Sequence, residues 1–268
     1  MKTILILLVV VSVACALDER QQETIHQNFP AAKLLDIGNV NGYIHVTGYN
    51  GNEIQMTAEK TIEARSRDRM EAAKRDVKLE ITQSAEKVSL QVQYPSRQRH
   101  WHNYDFDYNV TYDFEIKVPV STSLRLGTVN QTIDVSNVTG DFDVRNVNGR
   151  IELTDISGSG DAHTVNGRIV ATFAKNPERS CSFRTVNGGI EASFRPNLAA
   201  DVRVKTLHGG AFTDFEATGL PVSMISERRN GKLIYRSDRT HAFRIGNGGP
   251  ELKFDTLNGS IRILKRGQ

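Results

Sequence analysis

Residues 144–153 read VRNVNGRIEL, and close copies recur as AHTVNGRIVA from 162, FRTVNGGIEA from 183 and FDTLNGSIRI from 254. Aligned, the copies centre on Asn41, Asn130, Asn148, Asn166, Asn187 and Asn258, with Gly42, Gly149, Gly167, Gly188 and Gly259 following as corner residues. The copy at Asn130 carries Gln131 in place of Gly, and a further copy replaces Asn with His208. Val or Leu stands just before the Asn (Val40, Val129, Val147, Val165, Val186, Leu207, Leu257), and Ile stands three after it in six copies. The position two before is Asn or Thr throughout: Asn39, Thr128, Asn146, Thr164, Thr185, Thr206 and Thr256.

Each column has a physical reason. Asn-Gly accepts positive φ and makes a tight corner. Beyond the corner, apolar and polar residues alternate, as in Ile151-Glu152-Leu153, which is the period of a strand with one face inward. Two arrangements fit: hairpins of an antiparallel meander, or coils stacked like on like. Spacings of 18, 18, 21 and 21 residues from Asn130 to His208 are those of a solenoid repeat. A meander also has no need to keep Asn over Asn. The expected fold is therefore all-β: a β-solenoid, a single-stranded β-helix-like stack of short strands about 4.8 Å apart. Both the Val and the Ile columns are expected to fill its interior.

Around this repeat the chain divides as follows. Residues 1–16 read as a signal peptide: Lys2, an apolar run from Thr3 to Val13, and Ala14-Cys15-Ala16 as a small-x-small cleavage pattern. Cys15 also completes an imperfect lipobox, so export with a lipid anchor at Cys15 stands beside plain secretion to the periplasm or the exterior. Residues 17–29 read as a short linker, and 30–268 as one domain with an excursion at about 49–120. The excursion carries a strand at 54–58, a helix at 68–77 capped by Asp68, a strand pair at 78–82 and 88–94, and a strand at 110–118 ended by Pro119. It is expected to cover one end of the stack. A hairpin is expected to turn at Asn230-Gly231, and the closing run from Ile261 suits an end cap.

The chain resembles a bacterial family named "putative adhesin", a domain of unknown function. The resemblance rests on the leader, the Lys117-Val118-Pro119 strand end, the corners at Thr164 to Gly167, Thr185 to Gly188 and Asn146 to Gly149, and the strand-helix-strand excursion. It implies an exported β-helical domain and supplies no catalytic residues.

Chemistry is sparse. There is no P-loop, dinucleotide fingerprint or HExxH, and a net charge of +3 is too small to point to nucleic acid. A basic column stands beside the corners: Arg145, His163, Arg184 and Lys205 three before the Asn position, Arg150 and Arg168 two after, softened by Glu152 and Glu191. It suits an anionic glycan or surface polymer, and equally an ordinary solvated face. Residues 99–109 gather Trp101, Tyr104, Phe106 and Tyr108, flat faces that suit sugar rings. His100, His102, Asp105 and Asp107 in the same stretch read better as a hairpin tip than as metal ligands, so no metal or cofactor is expected. Cys181 reads as a small buried hydrophobe, with no disulfide. Asp141 and Asp143 are the carboxylate pair that a polysaccharide lyase or hydrolase would use. The expected function is a non-enzymatic binding or scaffolding module of the envelope. A carbohydrate-active enzyme and a partner in envelope-stress signalling are the alternatives.

Overall fold

The computed structural model describes residues 7–15, 18–95, 108–221, 224–229, 232–237 and 240–267, with side chains over 19–95, 108–221 and 240–267. The described residues are almost wholly β and form two mixed eleven-stranded sheets, one helix and a separate two-stranded hairpin.

The repeat builds the centre. In each copy a strand of the second sheet leads into the Asn corner, and a strand of the first sheet leaves it. Phe142–Arg145 runs into the bend at Asn148 and Ile151–Ile156 runs out; Gly160–His163 and Ile169–Phe173 do the same around Asn166. We call each such unit a rung and name it by its corner residue. Neighbouring rungs pair in parallel and in register, so that Ile44, Ile133, Ile151, Ile169, Ile190 and Ile261 lie over one another. The Asn residues form isolated parallel bridges from Asn41 through Asn130, Asn148 and Asn166 to Asn187.

The corner glycines only partly follow the expectation of positive φ. Gly42 has φ 114 and meets it, whereas Gly149 and Gly167 turn the corner without a positive φ. Gly42 is buried, and its carbonyl accepts from Asn39 Nδ2 at 3.2 Å and from the Thr128 hydroxyl at 3.4 Å, which fixes the first corner to its own rung and to the next.

The Ile column is fully buried, together with Leu35, Leu126, Val144, Phe183, Phe254 and Val204 from the second sheet, in one continuous core. Aromatic rings stack within it: Phe183 on Phe254 with centroids 5.3 Å apart, and Phe173 on Phe194 at 4.7 Å. Gly160 and Ala162 leave room beside Phe142 and Phe183, neighbours in the same register.

The Val column departs from expectation. Val147 is 38% exposed, Leu257 43% and Leu207 46%, and Val129, Val165 and Val186 are half-buried. The reason is the alternation of the incoming strand, which continues into the corner: Val144 and Asn146 point in and Arg145 and Val147 out, as Phe183 and Thr185 point in and Arg184 and Val186 out. Thr128, Asn146, Thr164, Thr185 and Thr256 are buried and hydrogen-bonded to the preceding rung. Thr164 donates to the carbonyl of Gly149 at 3.1 Å, Thr185 to that of Gly167 at 2.9 Å and Thr256 to that of Gly188 at 2.9 Å.

Rung order also departs from chain order. The Asn258 rung, Glu251–Asn258 with Ile261–Lys265, sits between the Asn187 rung and the His208 rung. The C-terminal run is thus an inner rung and not an end cap. Antiparallel His241–Ile245 covers the far side of Ala200–His208, while Ala211–Thr213 is left as the edge of the first sheet.

At the other end the excursion covers the Asn41 rung, as expected. Tyr108–Pro119 pairs with Ile44–Tyr49, and Lys87–Gln93 pairs with Leu34–Gly38. The helix, Arg67–Asp76, is capped by Ser66 and not Asp68: the Ser66 hydroxyl accepts from the Arg69 N–H. Of the segment 17–29, read as a linker, residues 18–29 belong to a thirteen-residue strand, Asp18–Pro30, antiparallel to Glu53–Ala64. Leu7–Cys15, inside the predicted leader, pairs only with that strand at the sheet edge, so no rung depends on it. Met224–Arg229 and Lys232–Ser237 form the expected hairpin, whose turn lies outside the described residues.

Candidate functional site

The corners form a continuous amide ladder. Each Asn Nδ2 donates to the Oδ1 of the rung before it: Asn130 to Asn41 at 2.8 Å, Asn148 to Asn130 at 3.2 Å and Asn166 to Asn148 at 2.9 Å. Asn187 and Asn258 continue it at 2.8 and 2.7 Å. His208 ends it, with Nδ1 3.0 Å from the Asn258 Oδ1. Because that oxygen only accepts, the hydrogen of the imidazole sits on Nδ1. At the opposite end Asn41 meets the Tyr94 hydroxyl and the Val110 carbonyl, beside a cavity of about 300 Å³.

The basic residues do not form one stripe. The ladder lies between them. Arg145, Arg184 and Lys205 flank it on the second sheet, and Arg150 and Arg168 on the first. The predicted softening by acids is present. Arg150 pairs with Glu152 at 2.6 Å and lies 3.9 Å from Asp134; Arg168 pairs with Glu191 at 2.6 Å; Arg145 pairs with Asp143 at 2.9 Å. These exposed pairs contribute little to stability, about 0–1 kcal/mol each.

A denser cluster lies on the outer face of the second sheet, toward the His208 end. A recess of about 410 Å³ is lined by Arg184, Arg203, Lys205 and Lys253, against the acids Glu251 and Asp255. Parallel register brings them together: Arg184, Asp255 and Lys205 form one row, and Ser182, Lys253 and Arg203 the next. Glu251 holds both Arg203 and Lys253, and these cations keep its carboxyl below the ordinary range. Sequence reading found Arg184 and Lys205 through the repeat. It missed Arg203 and Lys253, because their partnership depends on the C-terminal rung entering ahead of the His208 rung.

The remaining candidates separate. Asp141 is held by Arg179 and accepts from the Ser159 N–H at 3.2 Å, and the arginine hydrogen bond draws its pKa down. Asp143 lies between Arg145 and Arg125. Each carboxylate thus faces an arginine. Cys181 is buried, and desolvation pushes its thiol up to about 11, which keeps it protonated and inert at neutral pH. His163 is a half-buried imidazole with its pKa drawn down by burial and by Arg184 and Arg145. Trp101, Tyr104, Phe106, His100, His102, Asp105 and Asp107 lie outside the described residues. Tyr108 packs at the core margin, its hydroxyl 3.4 Å from Asp76. Among the described residues no group of three or more His, Cys, Asp or Glu is placed to hold a metal ion, and no helix is long and apolar enough to cross a membrane.

No family profile and no curated protein matches the chain. Three solved structures are similar in part. A "putative cell adhesion protein" from Clostridium sporogenes is 7% identical, with a TM-score of 0.42 over 90% of this chain and 99% of that one. A "putative adhesin" from Bacteroides fragilis is 11% identical, with a TM-score of 0.24 over 90% and 96%. A "putative lipid binding protein" from Parabacteroides distasonis is 10% identical, with a TM-score of 0.30 over 92% and 97%.

Proposed function

We propose that this chain is a β-solenoid acting as an exported, non-enzymatic binding and scaffolding module of a bacterial envelope or surface, and that the outer face of its second sheet takes an anionic glycan. The in-register rungs support the architectural part. The observation that carries the binding part is the recess in which Arg184, Arg203, Lys205 and Lys253 converge against two acids. Parallel strands set the members of a row at a rung spacing of about 4.8 Å, so a linear polyanion running along the stack follows a row from rung to rung. Arg offers paired donors to carboxylate or sulfate groups, and Lys a mobile point charge. The non-enzymatic part is supported by Asp141 and Asp143. Both are committed to arginines, whereas a glycosidase pair faces a shared gap with one carboxyl protonated.

Calorimetry with polygalacturonate against a neutral glucan tests the reading. The acidic polymer should bind at least about tenfold more tightly, and the preference should fall steeply with salt. Arg203→Gln with Lys253→Gln should remove most of it. Equal affinity for both polymers, or an unaffected double variant, would sink the glycan site. Release of reducing ends during the same incubation would turn the reading to a carbohydrate-active enzyme.

A further inference from the structure

The aliphatic column expected in the core lies instead at the surface: Val147, Leu257 and Leu207 are exposed, and Val40, Val129, Val165 and Val186 are half-buried. From Val40 to Leu207 it runs as a single row along the corner edge, one aliphatic per rung over seven rungs. At about 4.8 Å per rung the row is roughly 29 Å long. A scattered exposed Val or Leu needs no explanation; a straight file of them, with no charged residue interrupting it, is a continuous apolar strip.

Its borders are cationic. Two residues before the row stand Arg145, Arg184 and Lys205, with the imidazole of His163 between the two arginines and Asp255 the one acid in that column; three residues after it stand Arg150 and Arg168, with no acid in that column. The acids that pair these arginines, Asp143, Glu152 and Glu191, lie further out on the two sheet faces. A second copy of the chain packed edge to edge would therefore bring like charges together along its length. The partner that complements an apolar file between two cationic borders is planar, apolar beneath and anionic at its surface.

We propose that this corner edge docks on an anionic lipid surface, the Val and Leu file entering the headgroup–acyl boundary while the bordering Arg and Lys side chains reach the phosphates. The division of labour is that of an amphipathic helix lying in the interface, built here from a ladder of bends. Long cationic side chains can lay their stems along the apolar row and keep their charge at the lipid headgroups. The amides of the Asn ladder already satisfy one another, which lowers the cost of bringing them close to lipid.

The test is co-sedimentation of the full chain with vesicles of phosphatidylcholine alone or with 30% (about one lipid in three) phosphatidylglycerol, a composition chosen to give a clearly negative surface. Two variants are compared with wild type in the same form, so that any contribution of the N-terminal segment cancels. The first is Val147→Thr, Val165→Thr, Val186→Thr, which keeps the β-branch and removes the apolarity; the second is Arg145→Gln, Arg150→Gln, Arg168→Gln. Wild type should prefer the anionic vesicles at least about tenfold, and each variant should lose at least about fivefold of that binding. If the threonine variant unfolds at a lower temperature, the arginine variant alone decides. Equal binding of wild type to both vesicles, or an arginine variant that binds like wild type, overturns the proposal. So does binding to soluble polyanion in place of vesicles. Arg203 and Lys253 are untouched by either variant, so the glycan reading stands or falls separately.

Discussion

At the residue scale, the corner glycines answer to their neighbours more than to their own dihedrals. A Cβ at Gly42 would meet the carbonyl oxygen of Tyr112 at 2.0 Å, one at Gly149 that of Gln131 at 2.0 Å, one at Gly167 that of Gly149 at 1.9 Å, and one at Gly259 that of Gly188 at 1.9 Å. The clash is the same whether φ is positive, as at Gly42, or not, as at Gly149 and Gly167. Gln131, the non-glycine at this place, takes φ 86, which costs a residue with a Cβ about 1–2 kcal/mol. Gln131→Gly should therefore raise the thermal midpoint, by a degree or more in a chain of this size, as read by circular dichroism. Asp134 is a second local cost. Its carboxyl is desolvated beside the first sheet, its buried Oδ1 has no hydrogen-bond partner, and burial raises its pKa against the weaker pull of Arg150. A carboxyl whose folded pKa exceeds its unfolded one binds more protons when folded, so its charge lowers stability at neutral pH. That cost disappears as pH falls below the unfolded value. Asp134→Asn should accordingly be the more stable protein at pH 7, and its urea midpoint should converge with wild type below pH ~4.

At the scale of elements, the helix of the excursion is fastened at both ends by side chains. Ser66 caps its start, and the Lys60 ammonium, buried on the neighbouring strand, donates to the Val77 carbonyl at its end at 3.1 Å while lying 5.5 Å from the Tyr112 ring centre. The helix dipole favours that cation, and burial opposes it. Burial prevails, so the Lys60 pKa is lowered. The unfolded chain then holds the proton to higher pH than the folded one, and stability from this group rises as pH climbs toward the ordinary lysine value. Urea midpoints of wild type and Lys60→Met, measured from pH 7 to 10 (a window just below that value), should diverge in favour of wild type as pH increases; a constant difference would contradict the assignment.

At the scale of the whole molecule, the C-terminal rung enters between two rungs that precede it in sequence, and one residue locks it. Arg266 donates from its backbone N–H to the Phe194 carbonyl at 2.7 Å and from Nη1 to that of Phe173 at 3.1 Å, and it pairs with Asp155. It thereby ties the Asn258 rung to three earlier ones. Arg266→Ala removes a charge-assisted bond and the pair, about 1.5–3 kcal/mol, and should lower the thermal midpoint by several degrees. An unchanged midpoint would show that the rung is held by its buried Leu252, Phe254, Ile261 and Ile263 alone. Rungs cannot simply be added in chain order, since the slot above Asn187 fills last in sequence and lies beneath His208.

The sequence by itself determined the rung. Its period placed Asn over Asn and Ile over Ile, because a repeated turn with a fixed apolar offset admits one register that buries every Ile. It also carried the acids that neutralise Arg150 and Arg168. The alternation of the incoming strand runs unbroken to the corner and by itself turns the Val and Leu column outward, with Val144 and Asn146 in and Arg145 and Val147 out. The tertiary structure decided the order of the rungs. It alone placed Lys253 beside Arg203, because nothing local to residues 251–265 says that they enter ahead of residues 200–213. Local pattern fixes the shape of a strand and its turn; the order of the stack is set by long-range contacts, and the two surfaces on which function is proposed here arise from that order.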